Sequence, residues 1–202
     1  ISDKIELLKN LLPRVDSVII GGGMAYTFLK AQGFEIGDSL FEEDKLELAR
    51  ELIAQAKAEG KDFLLPVDSL MADQLSADAE AEPTEGVAIP PGKMGLDIGP
   101  QSIANARELI LTASTILWNG PMGVFEYDQF AEGTVAMAHA VAEATGQGAY
   151  SLIGGGDSAA AVAQAGLEDK VSYISTGGGA LLEYLEGKPL PGIHALNASP
   201  AS

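Results

Sequence analysis

The sequence predicts an α/β domain of three layers, α over β over α, built on a mostly parallel, doubly wound sheet. Three observations predict it. Short apolar runs recur without polar alternation, the pattern of strands covered on both faces. Segments of helical period or helix-forming composition separate them. Glycine triplets at 21–23, 154–156 and 177–179 each follow a strand-like run and precede a helix-like one. That is how strand-to-helix turns punctuate a parallel sheet.

In chain order, residues 3–12 give an amphipathic helix and 17–20 (Ser-Val-Ile-Ile) the first strand. The first triplet then opens a helix over 24–31. Residues 43–58 carry the helical period, with Leu46, Ala49, Ile53 and Ala56 on one side and charges on the other. Residues 63–67 and 94–98 read as further strands of the parallel sheet. Between them, 73–86 is acidic and rich in small residues, which predicts an exposed loop or a short edge excursion. A helix over 101–113 precedes a strand at 115–118, and a helix over 129–144 precedes one at 150–153. The second triplet opens a helix over 157–165; a strand at 171–175 meets the third triplet and a helix over 180–186. Residues 187–202 hold three prolines and little periodicity, and are expected on the surface or against something outside this chain. No solenoid repeat is visible.

Composition narrows the function classes. The 202 residues carry 12 Lys and Arg against 29 Asp and Glu, a net charge of −17. A nucleic-acid binder needs a basic face, and an anionic membrane surface would repel this chain, so neither partner is expected. Small phosphate ligands stay open, because backbone N–H groups and metal ions hold them without basic side chains. The absence of cysteine removes disulfides, thiolate catalysis and Cys-based metal sites. No apolar run nears the 18 residues of a membrane span, and the acidic start does not resemble a signal peptide. The first residue is Ile, as expected of a fragment or processed product.

In an open parallel sheet the ligand crevice lies beyond the carboxyl ends of the strands. The glycine triplets, Gly95 and the Trp118-Asn119-Gly120-Pro121 turn are all expected there. Glycine lets backbone approach a ligand, and a helix N-terminus just after it attracts anions. Several such turns on one edge point to a ligand with more than one phosphate. The motifs GxxxxGK[ST], GxGxxG and the protein-kinase set are missing, so pattern reading stops at a phosphate-binding α/β domain.

Asp157 reads equally as a helix N-cap or as an Mg2+ ligand facing phosphates. Ser158 is either a cap or a phosphate contact. Glu126 reads by itself as a solvated surface residue, with a ribose contact as the alternative. Lys4 reads as exposed unless an anionic partner draws it in. His139 lies in an apolar helical run and reads as packed; His194 is uninformative. Arg14, Arg50 and Arg107 fall on separate helices and make no cluster for an acidic substrate.

The ordered motifs resemble phosphoglycerate kinase. They are Ser2-Asp3-Lys4, the stretch from Ile19 to Lys30 containing Gly-Gly-Gly-Met-Ala-Tyr, Leu65-Pro66-Val67-Asp68 and Met94-Gly95-Leu96-Asp97-Ile98-Gly99-Pro100. Trp118-Asn119-Gly120-Pro121-Met122-Gly123-Val124-Phe125-Glu126, Gly154-Gly155-Gly156-Asp157-Ser158 and Ser175-Thr176-Gly177-Gly178-Gly179-Ala180 complete the set. The resemblance runs from residue 2 to about 197 and is to the C-terminal half of that family. It implies a Rossmann-like nucleotide-binding domain over 1–190 and a tail over 191–202. The N-terminal, phosphoglycerate-binding domain would lie outside this chain.

The roles that follow are implied by the resemblance. Lys4 approaches the transferred phosphoryl group. Gly21, Gly22 and Gly23, with Met94, Gly95, Leu96 and Val124, form a flat adenine pocket, so the first triplet faces a base and not a phosphate. Asn119 and Pro121 touch the phosphate and ribose region, and Glu126 the ribose. Gly155 and Gly156 bind the nucleotide, and Ser158, standing where Thr is common, contacts its phosphate. Asp157 holds Mg2+. Thr176, Gly177, Gly178 and Gly179 form the helix end that meets the moving phosphoryl group. The implied reaction is reversible transfer from 1,3-bisphosphoglycerate to ADP, giving ATP and 3-phosphoglycerate. A cytoplasmic monomer is expected, with ADP or ATP and the missing domain as partners, and with little turnover by the isolated chain. A non-catalytic nucleotide-binding module is the alternative; a dinucleotide dehydrogenase domain lacks its fingerprint.

Overall fold

The computed structural model describes residues 2–175 and the backbone of 193–199. Helix α1 (Ser2–Leu11) leads through a short 3-10 turn to strand β1 (Ser17–Gly22), then α2 (Gly23–Ala31), α3 (Leu46–Ala58) and β2 (Asp62–Leu64). Strands β3 (Ser69–Ala72), β4 (Glu82–Pro83) and β5 (Met94–Ile98) follow, then α4 (Pro100–Ile110) and β6 (Thr115–Asn119). The remaining elements are α5 (Glu132–Gly146), β7 (Tyr150–Gly154), α6 (Gly156–Gln164), β8 (Tyr173–Ser175) and β9 (Ile193–Ser199). Six strands form a parallel sheet in the order β2-β1-β9-β6-β7-β8.

The unalternating apolar runs are explained by burial on both faces. Val18, Ile20, Leu117 and Leu152 pack with α1, α2 and α3. Their strand neighbours Ile19, Ile116, Trp118 and Ile153 pack with α4, α5 and α6 on the other side. Successive side chains of a strand point to opposite faces, so one run feeds two cores. The three-layer expectation therefore holds.

Local chemistry sets the element ends. Gly22 has φ +67° ahead of α2, and Gly155 has φ +90° ahead of α6. Both conformations favour glycine. Helix α4 begins at Pro100, and its first turn is capped by a residue outside it. The Asp68 carboxylate accepts the N–H groups of Gln101 and Ser102, each at 2.9 Å. A Cβ on Gly99 would lie 2.3 Å from that carboxyl carbon, so glycine keeps the cap in place.

Two expectations are corrected. Residues 94–98 are a strand, but not of the parallel sheet: β5 pairs antiparallel with β3, in a second sheet of order β4-β3-β5. A short apolar run does not reveal its partner. Within 73–86 the short edge excursion is Glu82–Pro83, which pairs with β3 at the margin of that second sheet. Last, the tail is not a surface excursion throughout. Ile193–Ser199 forms β9, between β1 and β6 at the middle of the sheet. Only Ile193 in that segment is β-branched, so propensity gave no signal. The helix expected over 180–186 lies outside the described residues.

Candidate functional site

An apolar cleft opens where β1 turns into α2. Together with the open space at its mouth it takes in about 810 Å³. Gly22, Gly23 and Met24 form one side, Met94, Gly95 and Leu96 of β5 another, and Met122, Gly123 and Val124 a third. Leu40, Phe41 and Leu75 close the outside. Phe41 is held there by the Lys30 ammonium, 4.7 Å from its ring centroid. Such a slot, walled by glycine backbone and apolar side chains, suits a flat heteroaromatic ring.

Glycine is required at several points for different reasons. A Cβ on Gly95 would lie 2.1 Å from the Tyr26 hydroxyl oxygen, and Tyr26 is itself buried. That phenol donates to Ser69 Oγ at 3.1 Å, and burial pushes its pKa up. Gly21 is not among the cleft-lining residues. Its missing side chain makes room for Met122, whose Cε would sit 2.3 Å from a Cβ there. The Gly22 N–H donates to the Met122 carbonyl at 3.0 Å, which draws the 121–125 segment over the slot.

A polar cluster adjoins the cleft through that segment, at the carboxyl ends of β6 and β7. Lys4 Nζ donates to Asn119 Oδ1 at 3.4 Å. Gly155 packs on the same amide, since a Cβ there would lie 2.9 Å from Asn119 Oδ1. Lys4 is part-buried, not exposed; burial pulls its pKa down, and the Asp157 carboxylate opposes that shift. Asp157 stands in the first turn of α6, whose N-cap is Gly155 and carries no side-chain cap bond. The N-cap reading of Asp157 is therefore corrected, and its carboxylate stays available beside Lys4. Ser158 is fully buried, and its hydroxyl accepts the Gly120 N–H at 2.5 Å. Its place in the structure is to hold the Asn119–Pro121 turn, in which Pro121 is also buried.

Other sequence readings divide. Glu126 is exposed in a turn just beyond Val124. His139 is exposed on α5, not packed, because its helical period puts it outside the apolar stripe. Thr176, Gly177, Gly178 and Gly179 lie outside the described residues. The preceding Ser175 carbonyl accepts the Gly155 N–H at 2.9 Å, which brings the end of β8 beside α6. Sequence reasoning missed Tyr26, Met122, Leu40, Phe41 and Leu75, because lining a cleft leaves no motif.

Among the described residues, no three His, Cys, Asp or Glu side chains gather into a metal cage. The single Asp157 carboxylate fits Mg2+, which commonly takes one or two protein carboxylates and substrate phosphates.

The family model for phosphoglycerate kinase matches residues 1–188. The chain belongs to the phosphoglycerate kinase family. Relatives agree. The phosphoglycerate kinase of Chlorobaculum tepidum is 58% identical over 197 residues, covering 98% of this chain and 50% of its own length. The cytosolic phosphoglycerate kinase of Triticum aestivum is 57% identical, at 98% and 49%. The chain thus spans about half the length of these relatives. Solved phosphoglycerate kinases share the fold. That of Coxiella burnetii aligns with TM-score 0.86 at 48% identity, over 93% of this chain and 48% of that one. That of Pyrococcus horikoshii aligns with TM-score 0.74 at 31% identity, over 94% and 47%.

Proposed function

We propose that this chain is the nucleotide-binding, C-terminal half of a phosphoglycerate kinase, and that the whole enzyme moves a phosphoryl group reversibly between 1,3-bisphosphoglycerate and ADP. The observation that carries the reading is the adjacency of two unlike surfaces. An apolar, glycine-walled cleft meets a polar cluster of Lys4, Asn119 and Asp157 through the 119–124 segment. A nucleotide has the same two-part chemistry, a flat base and a chain of phosphates. The base would take the cleft, and Glu126, exposed beyond Val124, would take the ribose.

Phosphoryl transfer needs alignment and charge stabilisation more than covalent chemistry. The N-terminus of α6, uncapped by any side chain, presents N–H groups and a positive dipole end to phosphate. Lys4, oriented by Asn119, would place its ammonium near the moving group. Its downshifted pKa follows from the burial that also excludes water from its stem. Asp157 would hold Mg2+, which neutralises phosphate charge when bound. Binding of the phosphoglycerate is assigned to the other half, because Arg14, Arg50 and Arg107 do not converge on this site. A cytoplasmic location is inferred from the cytosolic wheat relative; no helix among the described residues is long and apolar enough to cross a membrane.

Calorimetric titration with ADP, with Mg2+ and with chelator, tests the reading. Saturable binding is expected, with a Mg2+-dependent increment that Asp157→Ala abolishes. Absence of binding at millimolar ADP would sink it. An increment surviving in Asp157→Ala would move the metal elsewhere.

A further inference from the structure

A buried carboxylate behind the cleft has no part in the scheme above. Asp97, on β5, is 1% exposed. One oxygen accepts the Ile98 N–H at 2.8 Å; the other accepts the Gly133 N–H, in the first turn of α5, at 2.9 Å. Two glycines are shaped around it. A Cβ on Gly123 would lie 2.6 Å from Asp97 Oδ1, and one on Gly133 would lie 2.3 Å from the same atom. Gly123 belongs to the segment that covers the cleft, and Asp97 neighbours Leu96 of the cleft's opposite side. The same turn of α5 holds that segment a second time, because Thr134 Oγ1 accepts the Met122 N–H at 3.0 Å. A third tie is direct: the Val124 N–H donates to the Leu96 carbonyl at 2.9 Å.

We propose that Asp97 is a positioning residue for the base: by gripping α5 at Gly133 and seating Gly123, it sets the spacing between the two sides of the cleft. The inference rests on the nucleotide reading given above. Each carboxylate oxygen already faces a backbone donor, and ionised acceptors make the stronger bond. The ionised form therefore holds the covering segment best, and base affinity rises as Asp97 loses its proton. Burial pushes its pKa up to about 7, opposed by the two N–H bonds, so the change falls near neutrality. The titratable groups facing it are Glu132 on α5, which adds to the upward shift, and Tyr26 on α2. The paired strand β3 and residues 121–125 contain none.

The test is ADP affinity at pH 6 and pH 8, in chelator, for the wild-type chain and Asp97→Asn. The ADP phosphate titrates in the same window for both proteins, so the quotient of the two pH ratios isolates Asp97. Wild type is expected to tighten at least about 3-fold more than Asp97→Asn across that range. A quotient of 1 overturns the proposal. Should Asp97→Asn fail to fold, the wild type alone decides through the carboxyl-carbon titration of Asp97 by NMR. Reciprocity requires saturating ADP to lower its pKa by about 0.5, the logarithm of that fold-change. An unmoved titration overturns the role of Asp97 while leaving ADP binding standing. If ADP saturates the wild type at neither pH, the nucleotide reading fails and the proposal with it.

Discussion

Gly95 shows how much one missing methyl group decides. Its N–H donates to Ser39 Oγ at 2.9 Å, and its Cα faces the phenol of Tyr26. Tyr26 is buried and hydrogen-bonded to Ser69, so moving its ring aside strains that bond or fills the cleft it lines. Gly95→Ala is expected to cost about 1–3 kcal/mol by overpacking, read as a lowered Tm, and to weaken ADP binding by narrowing the slot. Trimming the ring in a Gly95→Ala, Tyr26→Ala pair should cost less than the sum of the single changes. Additivity would show that the two side chains do not compete. Asp97 makes a second prediction at this scale. Its folded pKa of about 7 stands above the 3.8 of an ordinary Asp. A raised acid contributes stability below the unfolded value and loses it as pH climbs through the folded one. The Tm difference between Asp97→Asn and wild type should therefore grow in favour of the variant from pH 5 to pH 8. A difference that is constant with pH would show that Asp97 does not titrate there.

At the scale of elements, the ends of helices carry the chemistry while their faces carry the stability. Helix α4 depends on a cap supplied from the segment before β3, where Asp68 binds Gln101, Ser102 and the Ser102 hydroxyl. Asp68→Ala should cost about 1–2 kcal/mol, the usual worth of an N-cap, with a fall in Tm and little change in ADP affinity. Helix α6 is the contrast: no side chain caps it, and its first turn adjoins the Lys4 and Asn119 cluster. An uncapped end is the cheaper one to offer a phosphate, since nothing must be displaced. The second sheet has a comparable division of labour. It is hydrogen-bonded separately from the parallel sheet, yet its strand β5 lends three residues to the cleft.

For the molecule as a whole, the proposed function turns on what this chain can do by itself. The chain spans about half of its relatives' length and has a net charge of −17. Its three arginines are scattered over separate elements. The isolated chain is therefore expected to bind ADP while turning over 1,3-bisphosphoglycerate at background rate. Activity should return when the complementary half is supplied. Robust turnover by the 202 residues alone, in a coupled assay of ATP formation, would refute the division of roles.

Much of this was legible in the sequence, for reasons that are local. Burial on both faces wrote itself into Val18-Ile19-Ile20 and Ile116-Leu117-Trp118 as unbroken apolar runs. Positive φ at Gly22 and Gly155 requires glycine, so the turns ahead of α2 and α6 were visible as triplets. Other features depend on partners distant in sequence. Residues 94–98 are apolar enough for either sheet, and only their pairing with β3 chose the antiparallel one. Residues 193–199 carry little strand propensity, yet backbone hydrogen bonding to β1 and β6 makes them the centre of the sheet. The same holds inside the site. Gly21 belongs to the triplet but backs onto Met122, and Lys4 is drawn partly in from the surface because α1 brings it to Asn119. Steric limits on the backbone and two-sided burial act residue by residue, so sequence alone determined the layers and the turns. Strand partnership and the meeting of Asp97 with Gly123 and Gly133 join residues far apart in the chain, and only the tertiary structure decided them.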